Sequence, residues 1–97
     1  MAIQKFEDII AWQKAQELAV EIYTVFSVSK DYGFKDQITR AAVSISNNIA
    51  EGFDRSSDAD FGRFLYIALA SCSEVKSMLY LAEKITNGLI KSLAVKH

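Results

Sequence analysis

The stretch that decides the fold is Ile38–Phe53, which reads ITRAAVSISNNIAEGF. Its apolar residues are separated by four, three, four and three positions: Ile38, Ala42, Ile45, Ile49 and Gly52. Because an α-helix completes a turn in about 3.6 residues, this spacing places the five on one side of a helix. The stretch therefore predicts an amphipathic helix over about residues 35–54, preceded by a loop at residues 27–33.

Helical periodicity continues on both sides of this stretch. Upstream, a helix over about 8–27 is predicted from the stripe Trp12, Ala15, Ala19, Ile22 and Phe26. Downstream, Ser57 and Asp60 resemble a capping box that begins a third helix over about 58–85. Its seam is Phe61, Leu65, Ala68, Cys72, Val75, Leu79 and Ala82, with a second stripe of Phe64, Ile67, Ser71, Met78, Leu81 and Ile85. So wide an apolar face predicts contact with more than one neighbour.

The end of the chain predicts a short fourth helix. Thr86, Asn87 and Gly88 are typical of a helix end with a left-handed cap, which leaves residues 87–95 as a separate element. No run alternates at period two, so no strand is expected. The sequence thus predicts one all-α domain over residues 1–97, an antiparallel up-down helical bundle of three long helices and a shortened fourth.

Composition narrows the class of protein. The 97 residues are 51% hydrophobic and 24% charged, with a formal net charge of −1, which fits a folded globular chain and gives no overall attraction to nucleic acid. The single cysteine and the absence of a signal-like opening lead us to expect a cytoplasmic protein. No uninterrupted apolar run approaches the roughly 20 residues of a membrane span, so no membrane partner is expected.

Residues typical of catalysis are scarce. The sole histidine is His97, which is expected to be mobile, and Cys72 lies on a helix seam where a thiol packs as a small apolar group. The acidic pairs Glu7–Asp8 and Asp58–Asp60 fall at helix starts, where the helix dipole favours negative charge. No phosphate-binding loop, Cys-x-x-Cys or His-Glu-x-x-His motif occurs. The sequence predicts a protein that is not an enzyme and needs no cofactor or metal.

A polar stripe accompanies the apolar seam of the second helix. It consists of Arg40, Asn48, Glu51 and Arg55, with Ser44 and Asn47 at neighbouring positions. Either these side chains form a solvated surface with weak ion pairs, or they contact another subunit or a ligand. The second interpretation makes Arg40, Asn48, Glu51 and Arg55 candidate subunit or partner contacts.

Two further features of the C-terminal half concern charge. Glu74 lies beside the second stripe of the third helix and is expected to pair with an arginine or a helix end, or to extend into water. Lys84, Lys91 and Lys96 form a weak basic patch, because no acidic residue occurs from residue 84 onward. That patch is compatible with RNA binding, and equally with favourable interaction with a helix dipole.

Three quoted stretches carry a family resemblance: WQKA at residues 12–15, QITRAAVSISNNIAEG at 37–52 with Arg55, and FLYIA at 64–68. Together they resemble the four-helix-bundle family of intervening-sequence proteins, encoded within insertions in bacterial 23S ribosomal RNA genes and elsewhere in bacterial genomes. The resemblance covers about residues 6–85 and, more loosely, 87–93. Between Ile85 and Thr86 the chain lacks the segment in which the family ends one helix and begins the next.

The resemblance implies a bacterial protein whose four-helix protomers assemble into a homopentameric ring. The family is also similar to the accessory variability determinant of diversity-generating retroelements, a pentamer that binds a reverse transcriptase and nucleic acid. By this analogy Arg40, Asn48, Glu51, Gly52 and Arg55 match the family motif and would lie at subunit contacts or on the ring surface. Most members of the family have no established activity.

The predicted function is therefore that of a non-enzymatic oligomeric scaffold or adaptor that binds a protein partner, an RNA partner, or both. One alternative is a degenerate, internally deleted copy without a selected activity. The other is a small enzyme that uses carboxylates, with Glu51, Glu74 and Arg40 gathered in a pocket.

Overall fold

The computed structural model of the chain describes residues 2–55 and 57–96, with the backbone alone at Val95 and Lys96. A short 3-10 turn at Phe6–Asp8 leads into three α-helices: α1 (Ile10–Phe26), α2 (Tyr32–Phe53) and α3 (Asp58–Lys96). The described residues contain no strand, which confirms the all-α prediction. The bundle has three helices, and the predicted short fourth helix is helical but is part of α3.

The connection between α1 and α2 is shorter than predicted. The carboxylate of Asp31 accepts a hydrogen bond from the Phe34 backbone N–H at 3.1 Å and caps α2, which begins at Tyr32. The predicted loop therefore ends at Asp31, and Gly33 lies in the first helical turn. At the start of α3 the structure agrees with the predicted cap. The Ser57 hydroxyl accepts a hydrogen bond from the Asp60 backbone N–H at 3.1 Å, which is one of the two bonds of a capping box.

The prediction that the third helix ends near Ile85 is wrong. Helix α3 runs through Thr86, Asn87 and Gly88 to Lys96, and none of the described glycines has a positive φ, so no left-handed cap forms. Glycine within a helix costs only about 1 kcal/mol relative to alanine, and breaking the helix would also forfeit hydrogen bonds on both sides. Residues 89–93, which contain neither proline nor a further glycine, therefore continue the helix.

Helices α1 and α3 pack against opposite flanks of α2. Antiparallel pairing follows from the contacts, since Phe26 packs near Phe34 at the α1–α2 turn and Gln16 bonds to Ser46 further along. The core contains side chains from all three helices: Ala15, Ile22, Ile38, Ala41, Ala42, Ile45, Ile49, Ala68, Val75 and Met78. Within the described residues, α1 and α3 make no close backbone contact with each other. The three helices thus occupy three corners of a four-helix bundle.

A groove lies at the fourth corner. Ala11 and Leu18 of α1 form one wall, Ile45 and Ile49 of α2 form the floor, and Leu65, Leu69 and Cys72 of α3 form the other wall. We call this feature the α1–α3 groove; its volume is about 400 Å³. Its lining is almost entirely apolar, so the α1–α3 groove is a solvent-accessible hydrophobic surface.

The other unusual feature is the length of α3. Its 39 residues extend roughly 58 Å, whereas the 22 residues of α2 extend roughly 33 Å, and the molecule is 61 Å long. Ile85 and Thr86 are the last α3 residues beside the α1–α2 turn, where they approach Phe26 and Phe34. Residues 87–96, which we call the overhang, project beyond the bundle.

Candidate interaction surface

The predicted polar stripe on α2 divides into separate groups of contacts. Arg40 pairs with Asp36 one turn earlier, with the Arg40 Nε atom 3.3 Å from a carboxylate oxygen, and both side chains are largely exposed. An exposed pair of this kind contributes less than about 1 kcal/mol to folding. Arg40 is therefore available to a partner at little cost in stability.

The middle of the stripe joins α2 to α3. The Asn48 side-chain amide donates to the Ser44 carbonyl at 2.7 Å and to the Ser44 hydroxyl at 2.9 Å. That hydroxyl lies 2.9 Å from the hydroxyl of Ser71 on α3. Asn48, predicted as a partner contact, thus belongs to a part-buried hydrogen-bond chain that fixes the register of the two helices.

The end of the stripe forms a cluster at the α2–α3 turn, which we call the arginine cluster. Arg55 donates to the Glu51 carboxylate at 2.9 Å, and its guanidinium carbon lies 4.9 Å from the centre of the Phe64 ring. Arg63 approaches the same ring at 5.5 Å and pairs with Asp60 at 3.0 Å. Both guanidinium groups are held over one aromatic ring, and their planar forks are suited to the recognition of carboxylates.

Glu51 and Arg55 were predicted as contact residues from the sequence, whereas Arg63 and Phe64 were not. Arg63 follows Asp60 by three residues, which is the spacing of a helical ion pair and was available as a signal. The Arg63 and Arg55 guanidinium groups share the Phe64 ring because α2 and α3 pack closely at their turn. The spacing of residues within one helix cannot predict a contact between two helices.

The three residues of the enzymatic alternative are not brought together. Arg40 and Glu74 both line an open pocket of about 320 Å³ between α2 and α3, whereas Glu51 lies eleven residues, roughly 16 Å, along α2 from Arg40. The Glu74 carboxylate accepts from the Gln37 amide at 3.3 Å on the exposed surface. Glu74 is thus exposed, as the second alternative predicted, and its hydrogen-bond partner is a glutamine and not the arginine or helix end of the first.

Of the predicted basic patch, Lys84 and Lys91 are exposed on α3. They are seven residues apart, which places them on the same side of the helix, and Lys84 borders a shallow surface depression with Tyr80 and Lys76. The Lys96 side chain and His97 lie outside the described residues.

Helix α3 exposes far more apolar surface than predicted. Among the α3 side chains that the structure describes, residues 58–94, only Ala68, Val75 and Met78 are buried. Of the two predicted stripes, Phe61 and Phe64 are half-buried, whereas Leu65, Ile67, Leu79, Leu81 and Ile85 are at least 38% exposed. Cys72 is exposed as well. The reason is that α2 is the helix on which α3 packs within residues 2–55 and 57–96, so one face of α3 is covered and its flanks are not.

The exposed apolar character of α3 has a second consequence. By length and composition, residues Asp58–Ala94 are apolar enough to cross a membrane, with a mean hydropathy of 1.2 in the most apolar window. A core helix of a water-soluble assembly satisfies the same criterion. The expectation that the chain has no membrane partner therefore stays a prediction.

The sequence match covers nearly all of this architecture. The model of the family described as 23S rRNA-intervening sequence protein matches residues 7–92, which include α1, α2, the arginine cluster and most of α3. The chain belongs to this family. No curated protein sequence matches it. Membership in the 23S rRNA-intervening sequence family confirms the resemblance drawn from the α2 stretch.

Proposed function

We propose that this 23S rRNA-intervening sequence protein is a non-enzymatic scaffold of the bacterial cytoplasm that assembles from copies of itself and binds a protein partner. The observation that carries the proposal is the exposure of α3. Leu65, Leu69, Leu89, Ile90 and Leu93 expose between 40% and 62% of their surface. Large apolar side chains exposed in this number along one helix of a small protein are typical of an interaction site.

Self-assembly accounts for this surface better than membrane insertion does. The most apolar part of α3, residues 64–81, contains Glu74 and Lys76. At the centre of a membrane helix each of these charges would cost about 2.5–3.5 kcal/mol. A protein interface can instead pair such charges or leave them at its rim.

The partner surface of the scaffold is proposed to be the polar stripe. Along α2 it presents two ion pairs, Asp36 with Arg40 and Glu51 with Arg55, so acidic and basic side chains alternate. The arginine cluster places two guanidinium groups over one ring. Such balanced charge favours a protein surface with complementary pairs over a uniformly anionic backbone. Arginine and aromatic residues are also the types enriched at interaction hot spots.

Native mass in solution tests the assembly. Light scattering on a sizing column should give a discrete multiple of the 10.8 kDa protomer at micromolar concentration. The family resemblance suggests five copies. A monomer at about 100 μM would overturn the scaffold proposal and favour the degenerate-copy alternative, particularly if unfolding occurs at modest temperature.

Partner binding is tested separately with the arginine cluster. A doubly substituted chain, Arg55→Gln with Arg63→Gln, should retain its mass and its folded circular dichroism spectrum and lose the proteins that the wild-type chain retains from a bacterial lysate. Lys30→Gln, which removes an exposed cation from the α1–α2 connection, is the control. Equal recovery by all three chains would exclude the cluster as the partner contact.

RNA binding is a second candidate function, supported by the exposure of Lys84 and Lys91 on one side of α3. With so few cations, affinity is expected to be weak and to fall steeply with salt. Fluorescence anisotropy with a labelled single-stranded RNA at about 50 and 200 mM salt tests this candidate. Binding that Lys84→Glu with Lys91→Glu leaves unchanged would rule out the basic patch.

A further inference from the structure

Charge is divided unevenly along the chain. Residues 1–74 contain eleven acidic and seven basic side chains, whereas residues 75–97 contain four lysines, one glutamate and the terminal histidine. The chain is therefore acidic up to residue 74 and basic after it, although its formal net charge is only −1. Residues 75–96 lie within α3, so the basic part of the chain is a single helical segment.

Three of these lysines lie on one side of α3. Lys76, Lys84 and Lys91 are separated by eight and seven residues, each close to two helical turns, and all three are exposed. The four ion pairs found among the described residues involve other side chains. Within that part of the chain, the three ammonium groups are thus available to an anion.

The helix dipole does not account for Lys84 and Lys91. That explanation suited Lys84 as long as α3 was predicted to end near Ile85. The structure extends α3 to Lys96, so Lys84 lies twelve residues and Lys91 five residues before the helix end. The effect of the dipole on a charge is confined to about the last turn of a helix. The basic face of α3 therefore needs another explanation.

Tyr80 lies on the same side of α3, between two of the lysines. It follows Lys76 by four residues and precedes Lys84 by four, so roughly 6 Å of helix separates it from each lysine. The Tyr80 side chain is 56% exposed. The three side chains line an open depression of about 500 Å³. Glu83, the one acidic residue after position 74, does not line this depression.

An exposed aromatic ring between two cations is suited to a single-stranded polynucleotide. Each base of such a strand has a flat face that can stack on a tyrosine ring, and each phosphate attracts an ammonium group. The bases of a duplex are stacked on one another inside the double helix, so they are not available to Tyr80. A small anion would use the lysines and leave the ring without a contact.

We infer that single-stranded nucleic acid binds along this face of α3, with a base stacked on Tyr80 and phosphates at the three lysines. The inference rests on the RNA candidate of the proposed function; it adds Tyr80 and Lys76 to the site and specifies an unpaired strand. Binding is expected to tolerate different sequences, because a stacked base is held by its flat face and not by its edges. RNA and DNA strands share this chemistry.

Fluorescence anisotropy tests the role of Tyr80 with three labelled probes of about fifteen nucleotides: oligouridylate, oligothymidylate and an RNA duplex. Tyr80→Leu should weaken binding of the single strands by at least about fivefold, because it removes the stacking platform. The affinity for the duplex should not change, since no base of the duplex reaches the ring. Tyr80→Phe, which retains the ring and removes only the hydroxyl, should bind the single strands as the wild-type chain does.

Tyr66 provides the matched control. It is a second tyrosine of α3 and is 76% exposed, but the residues four before and four after it are Gly62 and Ala70 instead of lysines. Tyr66→Leu should therefore leave the affinity for every probe unchanged. Equal losses from Tyr66→Leu and Tyr80→Leu would overturn the inference, since the ring between the lysines would then have no special role.

Salt dependence separates the phosphate contacts from stacking. Three lysine contacts predict that the logarithm of the single-strand affinity falls against the logarithm of the salt concentration with a slope of about −2. Lys84→Gln should reduce this slope by about one third, because it removes one of three phosphate contacts. Tyr80→Leu should lower the affinity and leave the slope unchanged, since it removes no charge.

The outcomes separate the inference from the proposed function. The substituted side chains are all exposed, so circular dichroism should show folded chains throughout. Binding of either RNA or DNA with the stated effects at Tyr80 and Lys84 supports the inference and identifies the strand. Binding that weakens with Lys84→Gln and not with Tyr80→Leu would overturn the inference and leave the RNA candidate intact. A wild-type chain that binds neither strand would overturn both, whereas the scaffold proposal depends on the native mass.

Discussion

Gly52 of α2 and Phe64 of α3 approach so closely that no side chain fits between them. A Cβ atom placed on Gly52 would lie 2.5 Å from the Phe64 Cβ and 3.2 Å from the Phe61 ring. The Phe64 Cβ is fixed to the α3 backbone, so a clash there cannot be relieved by a rotamer change. This contact sets the distance between the two helices and holds Phe64 beneath the guanidinium group of Arg55.

Gly52→Ala is expected to destabilise the protein by about 1–3 kcal/mol, because overpacking at the helix contact outweighs the better helix propensity of alanine. The free energy of unfolding in urea measures this. Gly62→Ala is the control, since a Cβ there meets nothing within 4 Å and alanine should stabilise α3 by up to about 1 kcal/mol. Equal effects at the two glycines would contradict the close approach.

The hydrogen bond between Gln16 and Ser46 should contribute to the α1–α2 contact. The Gln16 amide donates to the Ser46 hydroxyl at 2.8 Å, and Ser46 is 1% exposed. Ser46→Ala is expected to cost about 0.5–1.5 kcal/mol. A double-mutant cycle with Gln16→Ala isolates the bond, and a coupling energy near zero would show that water satisfies both groups equally well.

The Glu51–Arg55 pair should matter little for folding. The two side chains are 57% and 45% exposed, and exposed pairs one helical turn apart contribute about 0.3–0.5 kcal/mol. Glu51→Gln is therefore expected to lower the free energy of unfolding by less than about 1 kcal/mol, with a smaller effect at high salt. A loss of several kcal/mol would mean that the pair is structural, and would weaken its assignment as a partner contact.

Continuity of α3 at Gly88 predicts opposite effects of two substitutions. Gly88→Ala should increase helicity and protect the overhang amides from hydrogen exchange, because a Cβ there meets nothing within 4 Å. Gly88→Pro should unfold residues next to this position, since proline removes a helical N–H and clashes with the preceding turn. If Gly88→Ala instead lowered helicity, a helix break at this position would be indicated.

Cys72 offers a probe of the groove in the wild-type chain. Its thiol is exposed in the protomer, so a maleimide should react with it readily in dilute solution. If a second copy covers the groove wall, the reaction should slow several-fold as concentration rises and subunits associate. A wild-type rate independent of concentration would argue that Cys72 stays uncovered.

The sequence by itself determined the helices and the family. The three- and four-residue spacing of Ile38, Ala42, Ile45 and Ile49 is satisfied by a helix with one buried side. Capping residues such as Ser57 mark where helices begin. The stretch at residues 37–52 likewise sufficed for the family assignment. Such signals are local, because hydrogen bonding and periodicity within a helix depend on residues a few positions apart.

Tertiary structure decided which apolar residues are buried and where α3 ends. Leu65, Cys72 and Leu79 satisfy the same periodicity as Ala68 and Val75, yet the first three are exposed, because burial depends on which neighbours surround α3. At Gly88, residue type allowed either a cap or a continuous helix, and the choice depended on whether folding back would bury enough surface. Both features depend on how the helices are arranged relative to one another, which is a non-local property. The same arrangement brings Arg55 and Arg63 over one ring and leaves the overhang without a neighbouring helix.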